Sequence, residues 1–458
     1  MITPLCLQHV AVSLGARLVG DSVNFDYVST DTRTIKSDSL FVALRGDNFD
    51  GHNFLAQAQA SGACALVVDS PCNDIAIPQL VVADTTRALG EISKLVREQF
   101  GGPLIAITGS CGKTTVKEML AAILSRCGKV HATAGNFNNH IGVPLTLLQL
   151  SASDNFSVIE MGASSGGEIE YLTHLAQPNV ALVNNVMPAH VEGFGSVDAI
   201  ARAKAEIYQS LSDNDVAVIN LDDRYANDMM CELPTKNRLT FSLFDHNACV
   251  HADNIQTQAR GTHFTLCAAG ARCDIQLNVI GQHNLANALA ATCCALAAGA
   301  NIEHIVKGLE QFEAVSGRLN IIRGLHDCTV IDDSYNANPG SVCAAIDAVK
   351  NIPGNKILVL GDMAELGSEA KSAHASVGDY ARAAGFYSLY SAGILSALAA
   401  KSFGPTAQSF GQQSELIKQL KKIVTDETVI VIKGSRSAHM DKVAQALTSN
   451  KSGAQVSC

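Results

Sequence analysis

The string Thr108-Gly109-Ser110-Cys111-Gly112-Lys113-Thr114-Thr115 constrains this chain more than any other. It follows an apolar run, Leu104-Ile105-Ala106-Ile107, and opens an amphipathic segment through Leu124. A strand that turns through glycines into a helix, with Lys and then Thr at the turn, cradles phosphates. The glycines let backbone N–H groups approach the oxygens, Lys113 places a charge on them, and the Thr114 hydroxyl suits Mg²⁺. The pattern is G-x-x-G-K-[ST], shorter than G-x-x-x-x-G-K-[ST] because position 107 is Ile. The alternative is a chance glycine turn, and the flanking strand and helix argue for nucleotide binding instead.

A chain of 458 residues has room for about three domains. Its formal net charge of −10 sets nucleic acid aside as a main partner. An anionic substrate must then meet local positive charge, not a global field. Met1-Ile2-Thr3-Pro4 lacks the basic start and apolar core of a signal peptide. No apolar run reaches membrane-spanning length, so no membrane insertion is expected. The 14 cysteines contain no C-x-x-C, which fits neither a disulfide framework nor a zinc site. A reducing cytoplasm is the simplest expectation, with most cysteines as small core fillers. Cys111 is the exception, because it sits inside the phosphate loop.

The expected fold class is α/β in three domains. Residues 1–83 read as a small α/β module, with strands at 40–44 and 65–68 and a helix near 53–61. A helix at 84–100, with a Thr/Asp cap in Asp84-Thr85-Thr86, leads into a central domain over 84–313. There, strands at 104–108, 156–160, 180–186 and 216–220 alternate with helices, which implies a mainly parallel sheet. A more polar, β-rich passage follows at 239–280, then Ala-rich helices at 284–299 and 302–312. A third α/β domain over 314–458 carries apolar strands at 328–332, 356–360 and 428–433.

Three candidate ligands share one place in this topology. The phosphate loop follows strand 104–108, Glu160 closes strand 156–160, and His190 follows the strand ending at Val186. In open α/β sheets the ligand crevice lies beyond the carboxyl ends of strands. Glu160 can hold Mg²⁺ beside Thr114, or cap a helix; His190 can hold a second cation, or be a packed loop histidine. Gly281-Gln282-His283-Asn284-Leu285-Ala286-Asn287 opens a helix, where asparagines either read an adenine edge or cap the helix. Arg318, at a domain boundary, is either a γ-phosphate ligand reaching across a cleft or a surface ion pair. Asp332-Asp333-Ser334-Tyr335-Asn336-Ala337-Asn338-Pro339 follows an apolar strand and reads as a binding loop or as a capped turn before a helix at 341–350. Its carboxylates suit ribose hydroxyls.

In this order and spacing the motifs resemble the ATP-dependent Mur ligases of peptidoglycan synthesis, over essentially the whole chain. Ser29-Thr30-Asp31-Thr32-Arg33, Gly135-Asn136-Phe137-Asn138-Asn139 and Gly361-Asp362-Met363-Ala364-Glu365-Leu366-Gly367 add to the likeness. Within the family they look most like the member that adds a dipeptide. The D-N-P-R string of the third-residue ligase is absent. The resemblance implies a Rossmann-like third domain that closes on ATP and takes the dipeptide. It implies ATP and Mg²⁺ as cofactors, and UDP-MurNAc-tripeptide and D-Ala-D-Ala as substrates of a monomer. The third-residue ligase and a folylpolyglutamate synthase-like enzyme are the alternatives.

It also assigns residues. Thr108 through Thr115, with Arg318, hold the nucleotide phosphates. Asn287 faces adenine and Asp333 the ribose. Ser29, Arg45 and Gly46 lie near the uridine. Asn138 and Asn139 contact the muramoyl-peptide part, and Asn336 and Asn338 lie near the dipeptide. Thr114, Glu160, His190 and Lys204 are the metal group, with Lys204 carbamylated; Lys113, Lys204, His190 and Arg318 are catalytic. Without the family, Lys204 reads as an ordinary exposed helix lysine.

Overall fold

Apolar runs separated by helices pair as parallel strands, because each connection must return to the same end of the sheet. This chain does so three times. A computed structural model describes residues 1–448, apart from positions 47, 189–190, 232 and 234–236 and the side chains of 191 and 192. The first sheet has five strands in the order Arg17–Val19, Gln79–Val81, Ala63–Val68, Ser39–Val42, Tyr27–Ser29. Only the Arg17–Val19 pairing is antiparallel. The Thr85–Glu98 helix follows, and the Asp84 carboxylate caps it by accepting from the Thr86 and Arg87 amides.

The second sheet has nine strands. Leu104–Thr108 lies inside it, flanked by Phe156–Glu160 on one side and Val180–Val183 on the other. After Leu104–Thr108 the chain first builds to one side, through Val130–Ala132, and only later to the other. The direction of winding therefore reverses beside this strand, and a crevice opens at its carboxyl end. Val250–Gln258, Gly261–Ala268 and Ala271–Leu277 finish the sheet as an antiparallel meander. The strand expected over 180–186 stops at Val183. Asn184 and Asn185 instead turn toward the phosphate loop: Asn184 N–H donates to the Thr108 carbonyl, and the Asn185 carbonyl accepts from Ser110 N–H, both at 2.9 Å.

The third sheet has six strands, ordered Asn320–Arg323, Thr329–Asp333, Thr428–Lys433, Asn355–Gly361, Ser388–Ala392, Gln408–Phe410. The last strand in sequence inserts beside Thr329–Asp333, in a register that pairs Asp333 with Lys433. Asn320–Arg323, Ser388–Ala392 and Gln408–Phe410 escape the sequence reading. They are short and polar, and two of them are edge strands, where one flank needs no apolar partner.

The first two sheets are not separately packed. Leu40, Val42 and Val67 share one hydrophobic core with Leu89, Ile92 and Val96 of the Thr85–Glu98 helix and with Leu104 and Ile159 of the second sheet. The third sheet packs a core on each of its two faces, and Ile280, from the segment after Ala271–Leu277, joins one of them. Among the described residues no helix is long and apolar enough to cross a membrane.

Candidate active site

The loop after Leu104–Thr108 is fixed from below before it can offer anything above. Thr108 is wholly buried, and its hydroxyl donates to the Met161 carbonyl at 2.9 Å. The Ser110 hydroxyl bridges to Met187, donating to its carbonyl and accepting its N–H. Asn185 clamps Cys111 at both ends: its amide oxygen accepts Cys111 N–H at 2.9 Å, and its amide nitrogen donates to the Cys111 carbonyl at 3.0 Å. Gly112 has φ +79°, and a Cβ there would meet Asn287 Oδ1 at 2.5 Å and Asn184 Nδ2 at 2.6 Å. Only glycine fits both the left-handed backbone and the space. The Lys113–Leu124 helix starts immediately afterwards, with its N-terminus at the loop.

Lys113 Nζ folds back onto the Gly109 carbonyl at 2.8 Å. The Thr114 hydroxyl donates to Glu160 Oε2 at 2.8 Å, and Asn138 Nδ2 donates to Glu160 Oε1 at 2.8 Å. Arg318, from the third sheet's side, donates to the same Thr114 oxygen at 2.9 Å. A residue 204 positions away in sequence thus touches the phosphate loop directly. Asn338 makes a second crossing, with Nδ2 3.3 Å from Cys111 Sγ.

Lys204 corrects the residue-only reading. It lies on the inner face of the Val197–Ala205 helix and is 3 % exposed. Among the described residues no carboxylate pairs with its amine. Burial, and then the neighbouring Lys113 charge, pull its pKa down to about 7. Desolvation likewise lowers His283, against the opposing pull of Asp333.

On the opposite wall, Lys433 is buried and paired with Asp333 at 2.6 Å, and it also donates to the Asn336 carbonyl at 2.9 Å. Asn338 caps the Pro339–Val349 helix in a capping box with Ser341, so this helix begins two residues earlier than expected. The Tyr335 ring carries the Arg318 guanidinium at 4.2 Å and that of Arg436 at 5.5 Å.

These groups line one cleft of about 600 Å³ between the second and third sheets. Of the expected residues it gathers Ser110 through Thr115, Asn138, Asn139, Glu160, Lys204, Asn287, Arg318, Asp333, Asn336 and Asn338. Thr108 and Gly109 lie beneath the loop and do not line the cleft. Asn287 is buried, and its amide oxygen accepts from Asn184 Nδ2 at 2.9 Å beside Gly112. His190 lies outside the described residues. Ser29, Arg45 and Gly46 do not line the cleft. The Ser29 hydroxyl donates to the Asp31 carbonyl at 2.8 Å, and Arg45 pairs with Asp69 at 2.8 Å. The sequence reading missed Asn184, Asn185, Tyr335, Lys433 and Arg436. A polar residue ending an apolar strand was the available signal for Lys433, and the Asn-Asn pair after a strand was the signal for the clamp.

The donor set fits its expected occupants. Thr114 and Glu160 are hard oxygen ligands suited to Mg²⁺, and the loop amides and cations suit phosphate. Residues 24–97 match the Mur ligase family catalytic domain, 107–295 the Mur ligase middle domain, and 317–436 the Mur ligase glutamate ligase domain. The UDP-N-acetylmuramoyl-tripeptide--D-alanyl-D-alanine ligase of Escherichia coli (strain K12) is 44% identical over 446 residues, spanning 97% of this chain and 98% of that protein. The crystal structure of MurF from Acinetobacter baumannii superposes with a TM-score of 0.91 at 34% identity, covering 97% of this chain and 98% of that one. MurF ligase from Thermotoga maritima, in complex with ADP, superposes with a TM-score of 0.83 at 27% identity, covering 92% and 96%.

Proposed function

This chain belongs to the Mur ligase family, and from that premise we propose how its cleft performs the reaction. The enzyme joins D-Ala-D-Ala to UDP-MurNAc-tripeptide at the expense of ATP, through an acyl phosphate, giving UDP-MurNAc-pentapeptide, ADP and phosphate. A tripeptide carboxylate oxygen attacks the γ-phosphorus and the bond to ADP breaks. The dipeptide amine then attacks the acyl carbon, loses a proton and expels phosphate.

Both partners of the first step are anions, so the site must offset their mutual repulsion. Lys113 and Arg318 supply two fixed cations. Thr114 and Glu160 would hold Mg²⁺, which would offset phosphate charge. Asn138 orients Glu160 and stands beside the muramoyl-peptide, with Asn139 next to it. Asn287 and Asp333 serve the adenosine end, with Lys433 holding Asp333 in place. Ser29, Arg45 and Gly46, away from the cleft, take the uridine end.

Lys204 carries a carbamate and serves a second Mg²⁺ with His190. The support is physical: a buried amine that no carboxylate among the described residues pairs with, held near neutral, can add CO₂, and the product is an anion that attracts a metal instead of repelling it. In this reading the enzyme works in a reducing cytoplasm, which rests on 14 cysteines with no C-x-x-C spacing among them.

The observation that carries the mechanism is the Thr114 hydroxyl, held at once by Glu160 of the second sheet and Arg318 of the third. It ties the metal position, the phosphate loop and the third sheet to one atom. ADP release measured with UDP-MurNAc-tripeptide, with and without D-Ala-D-Ala, tests the reading. Release should require both. Equal turnover with UDP-MurNAc-dipeptide and an amino acid, or with folates, or slow hydrolysis that no amine accelerates, would overturn it.

A further inference from the structure

Among the described residues, five lysine and arginine side chains line the cleft: Lys113, Lys204, Arg318, Lys433 and Arg436. Four are already accounted for. Lys113 belongs to the phosphate loop, and Arg318 binds the Thr114 oxygen. Lys433 is paired with Asp333, and Lys204 is held near neutral by burial. Arg436 is different. It is exposed on the loop after the Thr428–Lys433 strand, and among the described residues no carboxylate lies within ion-pair distance of it.

Among the described residues, the contact that orients its side chain is with an aromatic ring. The guanidinium lies over Tyr335 at 5.5 Å, and the Arg318 guanidinium lies over the same ring at 4.2 Å. A ring contact orients a guanidinium while leaving its N–H donors free. Two like charges sharing one ring repel each other, and a bound anion would relieve that repulsion. One of the two is committed to the phosphate loop; the other is available. Arg436, Tyr335 and Gly317 also line an adjoining pocket of about 270 Å³, so the guanidinium stands where cleft and pocket meet.

The ligation brings a third anion into the cleft. D-Ala-D-Ala attacks through its amine, but its other end is a carboxylate. A triphosphate and a tripeptide carboxylate already use the other cations, so this carboxylate needs one of its own. We propose that Arg436 binds the terminal carboxylate of the incoming dipeptide, with Tyr335 holding the guanidinium in place. This rests on the ligase reading above and identifies the residue that selects the second substrate. The planar fork of Arg436 can take both carboxylate oxygens, which a lysine cannot do.

Steady-state kinetics on the full-length enzyme test it, with D-Ala-D-Ala and its C-terminal amide as nucleophiles. In Arg436→Ala the KM for D-Ala-D-Ala should rise on the order of 10- to 100-fold, as loss of a charged hydrogen-bonded pair implies. The KM values for ATP and UDP-MurNAc-tripeptide should hold. The wild type should discriminate against the amide by a similar factor, and Arg436→Ala should use acid and amide alike. Arg436→Lys should fall between, and decides the matter if the alanine variant does not fold. An unchanged dipeptide KM, or a variant that still discriminates against the amide, overturns the proposal. So does a loss confined to ATP or to the UDP substrate. A wild type that ligates no D-Ala-D-Ala instead overturns the ligase reading itself, so the two failures are distinguishable.

Discussion

At the scale of single residues, the cleft places each charge where a small change in chemistry has a large effect. Lys113 is half-buried at the loop, and among the described residues its amine donates to the Gly109 carbonyl alone. Lys113→Ala should therefore fold normally and lose turnover by roughly 10²–10³-fold, the usual weight of one preorganised charge. Near wild-type turnover would remove the phosphate-loop assignment. Lys204 makes a prediction about pH. Its pKa falls from 10.5 to about 7 on folding. Between those values the unfolded chain holds a proton that the folded chain lacks, so stability should rise with pH across that window. Below about pH 7 both states are protonated and the burial penalty is constant. The slope from this one group is at most about 1.4 kcal/mol per pH unit. Urea unfolding of wild type and Lys204→Met, from neutral to alkaline pH in carbonate-depleted buffer, should show a shallower rise for the variant. Superimposable pH profiles would contradict the buried, neutral amine. For activity, Lys204→Arg should be nearly inactive, because arginine keeps its charge and cannot form a carbamate.

At the scale of elements, the phosphate loop is a strand-to-helix turn whose shape is imposed by its neighbours. Asn184 and Asn185 end one strand early in order to clamp it, and Asn287 closes it from the Gln282–Ala297 helix. Gly112 is the point where these constraints meet. Gly112→Ala must adopt a left-handed backbone and push Asn287 or Asn184 aside. The backbone strain alone is about 1–2 kcal/mol, and the clash adds to it. The variant should unfold at lower urea and bind ATP at least tenfold more weakly in calorimetry. Wild-type ATP affinity in a stable Gly112→Ala protein would show that the loop is looser than its packing indicates.

At the scale of the whole molecule, the first two sheets share a core while the third packs a core on each of its own faces and meets them across the cleft. That division suits a part that must approach and withdraw. Arg318 to Thr114 and Asn338 to Cys111 are the direct bridges at the phosphate loop. A bulky group on Cys111 would stand between the two walls. N-ethylmaleimide should therefore inactivate the enzyme, ATP should slow the loss, and Cys111→Ala should resist. Equal sensitivity of Cys111→Ala, with equal protection by ATP, would place the critical thiol elsewhere.

Much of this protein was legible before any tertiary contact was known. The phosphate loop, the α/β class and the expectation of a nucleotide follow from local rules. Glycine is needed at the turn, apolar runs make parallel strands, and ligands gather at strand ends. The order of motifs pointed to the family as well. What the chain could not reveal locally was burial and partnership between distant segments. Lys204 reads as a surface lysine because its helix sequence is ordinary, yet packing against the loop side leaves it 3 % exposed. Lys433 reads as a strand end, yet the insertion of the last strand beside Thr329–Asp333 sets it against Asp333. Arg436 gave no sequence signal, because its meaning lies in the Tyr335 ring that it shares with Arg318. Local chemistry is fixed by neighbours along the chain, so the sequence states it directly. Desolvation and ion pairing depend on what arrives from distant parts of the chain, so only the folded chain decides them.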